Sequence, residues 1–280
     1  MSTVTVSAAE VNKLRQQTGA GMMDCRKALI ESNGDFESAI DYLRKKGQKV
    51  AANRSDREAK EGVVIAKANA ENTYGIVITL SSETDFVAKN QEFIDFAQSV
   101  ADLALSSKTT TVEELLAIAM GSATIGEKLM EMVAKIGEKI EVSRFEQLSG
   151  DAVVPYIHQG YRIGVLVGMN MAANDAIILA GRDVAMQIAA MKPLAVDAES
   201  VPEEMIAREK AIAVEQIIAE GKPADMAEKI AAGKLNKFFK DNTLLPQPFV
   251  KDSSISVADY LNSVSKGLTV TAFRRSAVGA

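Results

Sequence analysis

The 280-residue sequence has few of the side chains on which active sites and metal centres depend. It contains one histidine, one cysteine and no tryptophan. A single cysteine excludes a disulfide within the chain, and one histidine with one cysteine cannot supply the roughly four ligands of a structural zinc site. A catalytic triad built on histidine would have to use His158. The composition therefore disfavours much of enzyme chemistry, and we expect no metal and no cofactor.

The charge balance disfavours one class of partner. Lys and Arg total 32 while Asp and Glu total 37, which gives a net charge of −5. General nucleic-acid-binding proteins usually have a basic surplus, so we expect no direct contact with nucleic acid. Residues 1–60 carry 11 basic and 8 acidic groups. We interpret this mild local excess as solvated helix surface.

Signals for secretion and for membrane insertion are missing. Residues 1–5 have neither the basic start nor the apolar run of a secretory signal peptide. No uninterrupted apolar stretch approaches the ~18–20 residues that a membrane-spanning helix needs. With 47% hydrophobic and 25% charged residues, the composition is typical of a folded soluble protein. We expect a cytoplasmic location without membrane contact.

The first fifty residues predict a small unit of three helices. Ser7 and Glu10 form a capping box at the start of the first helix, and Gly19 permits the turn that ends it. Asn33-Gly34-Asp35 ends the second helix and caps the third. Such a short unit buries little core and is more typical of a docking module than of an enzyme.

Two β-rich hairpins, each followed by a long amphipathic helix, predict an α+β fold for the rest of the chain. The first strand pair covers residues 63–68 and 74–80, and the second covers 153–158 and 162–169. Within them Tyr74-Gly75-Ile76-Val77 is echoed by Ile163-Gly164-Val165-Leu166. Because the order of elements occurs twice, we interpret this part as two related α+β subdomains.

A helical hairpin is predicted to interrupt the second subdomain. Ser200 is placed as an N-cap with Pro202 in the first turn, and Gly221-Lys222-Pro223 breaks the stretch into two antiparallel helices. Such a projection suits packing, homodimerisation or contact with another partner. The predicted organisation is a three-helix domain (1–50), a linker (51–61), a first α+β subdomain (62–148) and a second (149–280) that carries the hairpin at about 200–240.

Several single residues have both structural and functional interpretations. Cys25 lies within an amphipathic helix, where we expect core packing. Gly19-Ala20-Gly21 matches part of a dinucleotide-binding fingerprint but follows a helix rather than a strand. His158 is interpreted as a polar residue at a strand end, with contact to a partner as the alternative. Of the adjacent Met22 and Met23, we expect one in the core and one exposed as an adaptable contact.

The polar segment 81–90, between a strand and a helix, is the strongest candidate for function. Either Phe86 tucks under the following helix while Asp85 makes a turn, or Phe86 stands exposed beside that carboxylate as a wedge that can open another protein. Glu83 and Asp85 would be the carboxylate pair of an enzyme, but neighbouring carboxylates in a loop are usually solvated. We refer to residues 84–87 as the wedge loop.

Six short motifs follow one another along nearly the whole chain. They are LRQQTGAGMMDCRKAL at 14–29, NGD at 33–35, TDFVAK at 84–89, AKIGE at 134–138, His158 with RIGVLV at 162–167, and QPFV at 247–250. In content and order they resemble the bacterial translation elongation factor Ts family. A single motif would be weak, but six in order are specific.

The resemblance implies both a fold and a function. The fold has an N-terminal domain like the ubiquitin-associated domain, two related core subdomains and a helical hairpin projecting from the second. The function is that of a guanine-nucleotide exchange factor without catalytic chemistry of its own. It binds elongation factor Tu in the GDP-bound and nucleotide-free forms and lets GTP replace GDP during translation elongation. Some longer members have an additional C-terminal helical module, whose contacts we do not expect here because the sequence stops at Ala280.

Carried over position by position, the resemblance assigns two groups of contact residues. The first group would enter the GTPase and disturb its Mg²⁺ site, and consists of Thr84, Asp85, Phe86 and Val87. The second group would bind the partner elsewhere, and consists of Arg15, Met22, Met23, Ile136, Gly137, His158 and Val250. The main alternative is an adaptor that binds ubiquitin-like or other helical ligands through the three-helix domain, and such an adaptor would need no wedge.

Overall fold

A computed structural model of the protein describes residues 5–221 and 223–279. Its N-terminal part consists of three helices, α1 (Ala8–Thr18), α2 (Met22–Glu31) and α3 (Phe36–Ala52). The predicted capping box of Ser7 and Glu10 begins α1. Gly19 ends it with φ at +67°, in the left-handed region that favours glycine. The signals read from the sequence are therefore confirmed at both ends of this helix.

The three helices enclose a small apolar core. It is formed by Val11, Leu14, Cys25, Ala28, Leu29, Ala39 and Leu43. Cys25 is fully buried, as expected of a core thiol. Met22 and Met23 are 60% and 71% exposed, so the expectation that one of them joins the core is wrong. Both lie in the first turn of α2, at the edge of a core that Cys25, Ala28 and Leu29 already close.

The chain continues into a first antiparallel sheet with its helices. The elements are β1 (Glu61–Ala68), β2 (Tyr74–Ser82), α4 (Asp85–Ala88), α5 (Gln91–Ser107), α6 (Val112–Ala117), β3 (Ala119–Met120), β4 (Ala123–Thr124), α7 (Ile125–Ile136) and β5 (Ile140–Ser149). β2 is the central strand, between β1 and β5. Side chains alternate along its strands, so that Ile65, Ile76 and Ile78 face α5 and α7 whereas Val64 and Val77 point to the other face.

A second sheet with its own helices follows. The elements are β6 (Ala152–Ile157), a 3₁₀ turn (Gln159–Tyr161), β7 (Ile163–Met169), α8 (Asp175–Met191), α9 (Glu203–Ala219), α10 (Ala224–Asn242), β8 (Pro248–Phe249), β9 (Asp252–Ser256), α11 (Val257–Val264) and β10 (Val270–Ala277). β7 is central, between antiparallel β6 and β10. Helices on antiparallel sheets give the α+β class that the sequence predicts.

The two sheets pack face to face across one apolar layer. The layer consists of Val64, Ala66, Val77, Leu148, Val153 and Leu166. A Cβ at Gly75 would lie 2.8 Å from Val153 Cγ1, and a Cβ at Gly164 would lie 2.6 Å from Val64 Cγ1. Both distances are shorter than a van der Waals contact, so the backbones approach this closely only because both positions are glycine. These are the two glycines of the sequence echo.

The three-helix unit packs on α7 through α3. A Cβ at Gly47 of α3 would lie 2.9 Å from the carbonyl oxygen of Met130 and 3.0 Å from the Cβ of Ala134. Arg44 and Glu131 add an ion pair of 3.9 Å. Because α3 extends to Ala52, the first two residues of the predicted linker are helical.

Helices α9 and α10 pack mainly on each other. Their shared core is formed by Ala213, Ile217, Ala227 and Ala231. At the base, the amide of Leu194 donates to the carbonyl of Asn242 at 2.8 Å. The predicted N-cap is wrong, because α9 is capped by Pro202 and the Ser200 hydroxyl instead donates to Asp197 at 2.5 Å. Within residues 5–221 and 223–279, the helices lack the combined length and apolar character that a membrane crossing requires.

Gly164→Ala is expected to destabilise the protein by about 1–3 kcal/mol, because the added methyl group overpacks the layer between the sheets. Gly233→Ala is the matched control. Gly233 lies in α10 with open space around it, and alanine there is expected to stabilise by up to about 1 kcal/mol through its higher helix propensity. Urea unfolding followed by circular dichroism measures both changes. Equal stability of Gly164→Ala and the unmodified protein would contradict the intersheet contact.

Candidate functional site

The wedge loop follows β2 and forms a single helical turn, and the side chain of Phe86 on this turn points into solvent. Phe86 in α4 is 83% exposed, whereas Ala88 is buried and Val87 packs against the core of the first sheet. The alternative in which Phe86 tucks under the following helix is therefore wrong. A large ring this exposed serves no packing in its own fold, and it is what a binding surface would present.

Asp85 lies beside Phe86 as an ionised carboxylate. Its Oδ2 accepts a hydrogen bond from Lys89 Nζ at 2.6 Å, one helical turn further along. This hydrogen bond, helped by the charge of Lys89, lowers the pKa of Asp85. The wedge loop therefore carries a negative charge and an exposed ring on neighbouring residues.

Glu83, directly before the wedge loop, is held by three donors. Its Oε1 accepts from Arg54 Nη1 at 2.6 Å and from the amide of Lys139 at 2.6 Å, and its Oε2 accepts from Arg57 Nη1 at 3.0 Å. Burial alone would raise the pKa of Glu83, but the hydrogen bonds from Lys139, Arg54 and Arg57 outweigh it and lower the pKa to about 2. Such a carboxylate stays ionised, and its oxygen atoms are already engaged in hydrogen bonds. It is therefore poorly suited to exchange protons as a general acid or base together with Asp85.

Thr84 joins the wedge loop to the end of α7. Its amide donates to Glu138 Oε2 at 3.1 Å and its hydroxyl donates to Glu138 Oε1 at 2.7 Å. Glu138 follows Ile136 and Gly137, and Gly137 ends α7 with φ at +78° and with open space around it. The structure therefore brings two of the predicted contact segments, the wedge loop and residues 136–137, onto one surface.

His158 lies in the turn between β6 and β7. It is exposed, and its Nδ1 is 3.0 Å from the hydroxyl of Tyr156. Arg162 of the same turn donates to Glu61 Oε2 at 2.7 Å, and Glu61 pairs with Ser82 across the first sheet. The turn that carries His158 is therefore placed at the same end of the first sheet as the wedge loop.

Arg15, Met22 and Met23 line an open groove on the three-helix unit. The remaining lining residues are Val6, Ala8, Val11, Asn12 and Arg26. The groove combines apolar side chains with two guanidinium groups, and its methionines can adapt their shape to a ligand. Such a surface suits an apolar side chain of a protein that also presents carboxylates.

Val250 is presented on the second sheet's side of the molecule. It is 47% exposed, and its amide donates to Gln187 Oε1 at 2.8 Å. Gln187 Nε2 donates in turn to Gln247 Oε1 at 3.1 Å and to the carbonyl of Pro248 at 3.2 Å. Among the described residues, no hydrogen bond or ion pair joins the segment 247–250 to the wedge loop or to the groove on the three-helix unit.

Gln187 and Asp183, which both lie on α8, are residues that the sequence analysis did not single out. Asp183 is buried and accepts from Lys251 Nζ at 2.6 Å and from the Tyr260 hydroxyl at 2.8 Å. Burial, together with this carboxylate, raises the pKa of Tyr260. No local pattern could reveal these residues, because their partners lie about sixty residues or more away.

Taken together, these surfaces suit recognition better than bond chemistry. In the part of the chain that the structure describes, no three side chains of His, Cys, Asp or Glu converge closely enough to hold a metal ion. The wedge loop and the segment of Val250 each present an exposed apolar side chain on a support fixed by hydrogen bonds.

Comparison with known proteins places the chain among translation factors. The family model described as Elongation factor TS matches residues 83–280. Elongation factor Ts of Amoebophilus asiaticus is 50% identical over 277 residues, which span 99% of this chain and 100% of the relative. The chain belongs to the elongation factor Ts family. Elongation factor Ts of Flavobacterium psychrophilum is 54% identical over 275 residues, 98% of this chain and 99% of the relative.

Family membership confirms the resemblance carried by the six motifs. As an elongation factor Ts, the chain acts in protein biosynthesis as a nucleotide exchange factor for elongation factor Tu. The family model begins at Glu83, at the base of the wedge loop. The relatives extend the similarity over the three-helix unit as well, because they match 98–99% of the chain.

Glu83→Gln is expected to destabilise the protein at pH 7 by up to about 3 kcal/mol, since each unit of pKa shift corresponds to ~1.4 kcal/mol. The pKa of Glu83 lies below its ordinary value of 4.5. Its ionisation therefore stabilises the fold above that value, and the effect is lost as the pH falls from about 4.5 towards about 2.

Urea unfolding from pH 8 to pH 3 checks this prediction. The stability gap between Glu83→Gln and the unmodified protein should be constant near neutral pH and narrow below about pH 4.5. Glu58→Gln is the matched control, because Glu58 is exposed and pairs with Lys60 in the same segment. Parallel stability curves over the whole range would contradict the assigned contacts.

Proposed function

We propose that this elongation factor Ts releases GDP by inserting Phe86 into elongation factor Tu beside the bound Mg²⁺, which disturbs the contacts of the metal and the phosphates. The observation that carries the proposal is the 83% exposure of Phe86 on an anchored turn. A ring on a fixed support loses little conformational entropy when it inserts. Asp85 brings a negative charge to the same place, and this charge opposes the negative charge of the phosphates.

The remaining predicted residues provide binding around this insertion. Thr84 and Val87 flank the ring within the wedge loop. The other contacts with elongation factor Tu are assigned to Arg15, Met22, Met23, Ile136, Gly137, His158 and Val250. The exposure of the two methionines, of His158 and of Val250 supports this assignment. So does the common placement of residues 136–137 and His158 at the wedge-loop end of the first sheet.

The proposal extends to domain organisation. Residues 1–50 form a domain like the ubiquitin-associated domain, 51–61 a linker, 62–148 a first core subdomain and 149–280 a second. The hairpin at about 200–240 belongs to the second subdomain. The exposed side chains of Ile212, Ile218 and Met226 support contact of the hairpin with a second copy of the chain. A cytoplasmic location follows from a role in translation.

Thermodynamic linkage limits how much Phe86 can contribute to nucleotide release. A factor that binds nucleotide-free elongation factor Tu better than the loaded form must weaken nucleotide binding by the same factor. Burial of one Phe side chain stabilises a complex by only ~1.5–3 kcal/mol, which is about one to two decades of affinity. Phe86 therefore directs the disturbance, while the binding energy of the whole interface drives it.

Phe86→Ala is expected to slow GDP release by a larger factor than it weakens the complex with nucleotide-free elongation factor Tu, where the lost burial costs at most about 10- to 100-fold in affinity. The rate is measured by release of fluorescent mant-GDP, and the affinity by a binding isotherm. Leu179→Ala is the matched control, because Leu179 is also exposed, at 61%, but lies on α8 away from the wedge loop. Equal losses of rate and affinity would contradict the proposal.

Removal of Mg²⁺ is expected to abolish the difference between Phe86→Ala and the unmodified protein. If the ring acts by displacing Mg²⁺ from elongation factor Tu, it has nothing left to displace when the metal is already gone. The measurement is mant-GDP release in Mg²⁺ buffer and in EDTA, with each rate expressed relative to spontaneous release under the same condition. A rate ratio that is unchanged in EDTA would mean that Phe86 acts elsewhere.

A further inference from the structure

The segment between α3 and β1, which the sequence predicts as a linker, is fixed beneath the wedge loop. Arg54 and Arg57 both bind the carboxylate of Glu83, at 2.6 and 3.0 Å. In addition, Lys139 Nζ donates to the carbonyl oxygens of Ser55 and Arg57 at 3.1 Å each. Four contacts, two made by Glu83 and two by Lys139, thus tie a segment of polar residues to the base of the wedge loop.

Hydrogen bonds and ion pairs around Glu83 join three separate parts of the chain to one another. Glu83 accepts from the amide of Lys139 at 2.6 Å, and Thr84 donates twice to Glu138. Residues 83–84 and 138–139 are therefore joined to each other as well as to the segment 54–57. The side chain of Glu83 is only 14% exposed, so its ion pairs are screened less by solvent than surface pairs are.

We propose that Glu83 is a positioning residue for nucleotide exchange, which fixes the direction of Phe86 relative to the three-helix unit by holding Arg54, Arg57 and Lys139 together. Arg54 lies two residues beyond the end of α3 at Ala52. The three-helix unit is thus connected to the wedge loop by the ion pairs as well as by the packing of α3 on α7. This inference rests on the proposed role of Phe86.

Charge in this cluster is balanced by groups on every segment that meets there. The cations are Arg54 and Arg57 from the segment after α3 and Lys139 directly before β5. The anions are Glu83, Glu138, which accepts from Thr84, and Glu141, which lies 3.3 Å from Lys139 Nζ. If one guanidinium is removed, α3 still packs on α7 and the fold is kept. The wedge loop, however, loses one of the contacts that fix its orientation. Because a displacement of about 1 Å can reduce a rate by up to ~100-fold, a small rotation of α4 is enough to affect exchange.

The test uses Arg54→Gln and Glu83→Gln in the full chain, with Glu58→Gln as control from the same segment. Mant-GDP release from elongation factor Tu is measured at increasing concentrations of the exchange factor, which separates kcat from KM. Both variants are expected to lower kcat about tenfold and to change KM by less than about twofold, because the binding surfaces stay in place. Glu58→Gln should behave as the unmodified protein does.

Two further variants separate positioning from general damage. Arg54→Lys keeps a charge and a donor and should restore most of kcat. In a Phe86→Ala background, Arg54→Gln should cause no further loss, because the residue that it positions is absent. Independent, multiplying losses would overturn the inference, and so would a rise of KM without a fall of kcat. If Phe86→Ala alone had no effect, the proposed function itself would fail, which is a distinguishable result.

Discussion

The arrangement of the functional surfaces depends on the contact between the two three-stranded sheets. Each sheet packs helices on one face and the other sheet on its second face. Gly75 and Gly164 allow this approach, since a Cβ at either position would collide with a valine of the opposite sheet. The Thr79 and Ser276 hydroxyls, 2.6 Å apart, add a buried hydrogen bond between the sheets. Because hydroxyl pairs need a defined geometry, this bond sets how the sheets align as well as how close they lie.

The same contact determines where the segments that carry the distant motifs lie. β2 leads into Glu83 and the wedge loop, and the turn after β6 carries His158. The ion pair of Arg162 with Glu61 closes this end of the interface at 2.7 Å. On the outer face of the second sheet, α8 holds the segment of Val250 through Gln187. A partner that touches all of these surfaces must therefore match a geometry that the intersheet layer determines.

Local features of the fold could be predicted from the sequence, and non-local contacts could not. The capping box of Ser7 and Glu10 involves residues three positions apart, so its signal is complete within a short stretch. Glu83 is held by residues 26, 29 and 56 positions away, and no spacing rule reveals them. The exposure of Phe86 was equally undecided, because an apolar residue before an amphipathic helix can point either way. The family motifs favoured the exposed arrangement. The physical reason is that the same turn points Ala88 and part of Val87 towards the core, which leaves Phe86 on the outside.

An ionic anchor suits this task better than an apolar one. Apolar contacts fill space but are only weakly directional. A short helical turn held by apolar contacts alone could therefore rotate on the surface that it packs against. Hydrogen bonds to a carboxylate are directional. Glu83 accepts three from two separate segments, and Glu138 accepts two from Thr84. The turn is thereby fixed while its ring stays in water. The exposed ring carries an unfavourable hydration free energy that is relieved only when it enters a partner. Under the proposed mechanism, burial of this ring in elongation factor Tu is what Phe86 contributes to exchange, a role that needs neither histidine nor cysteine.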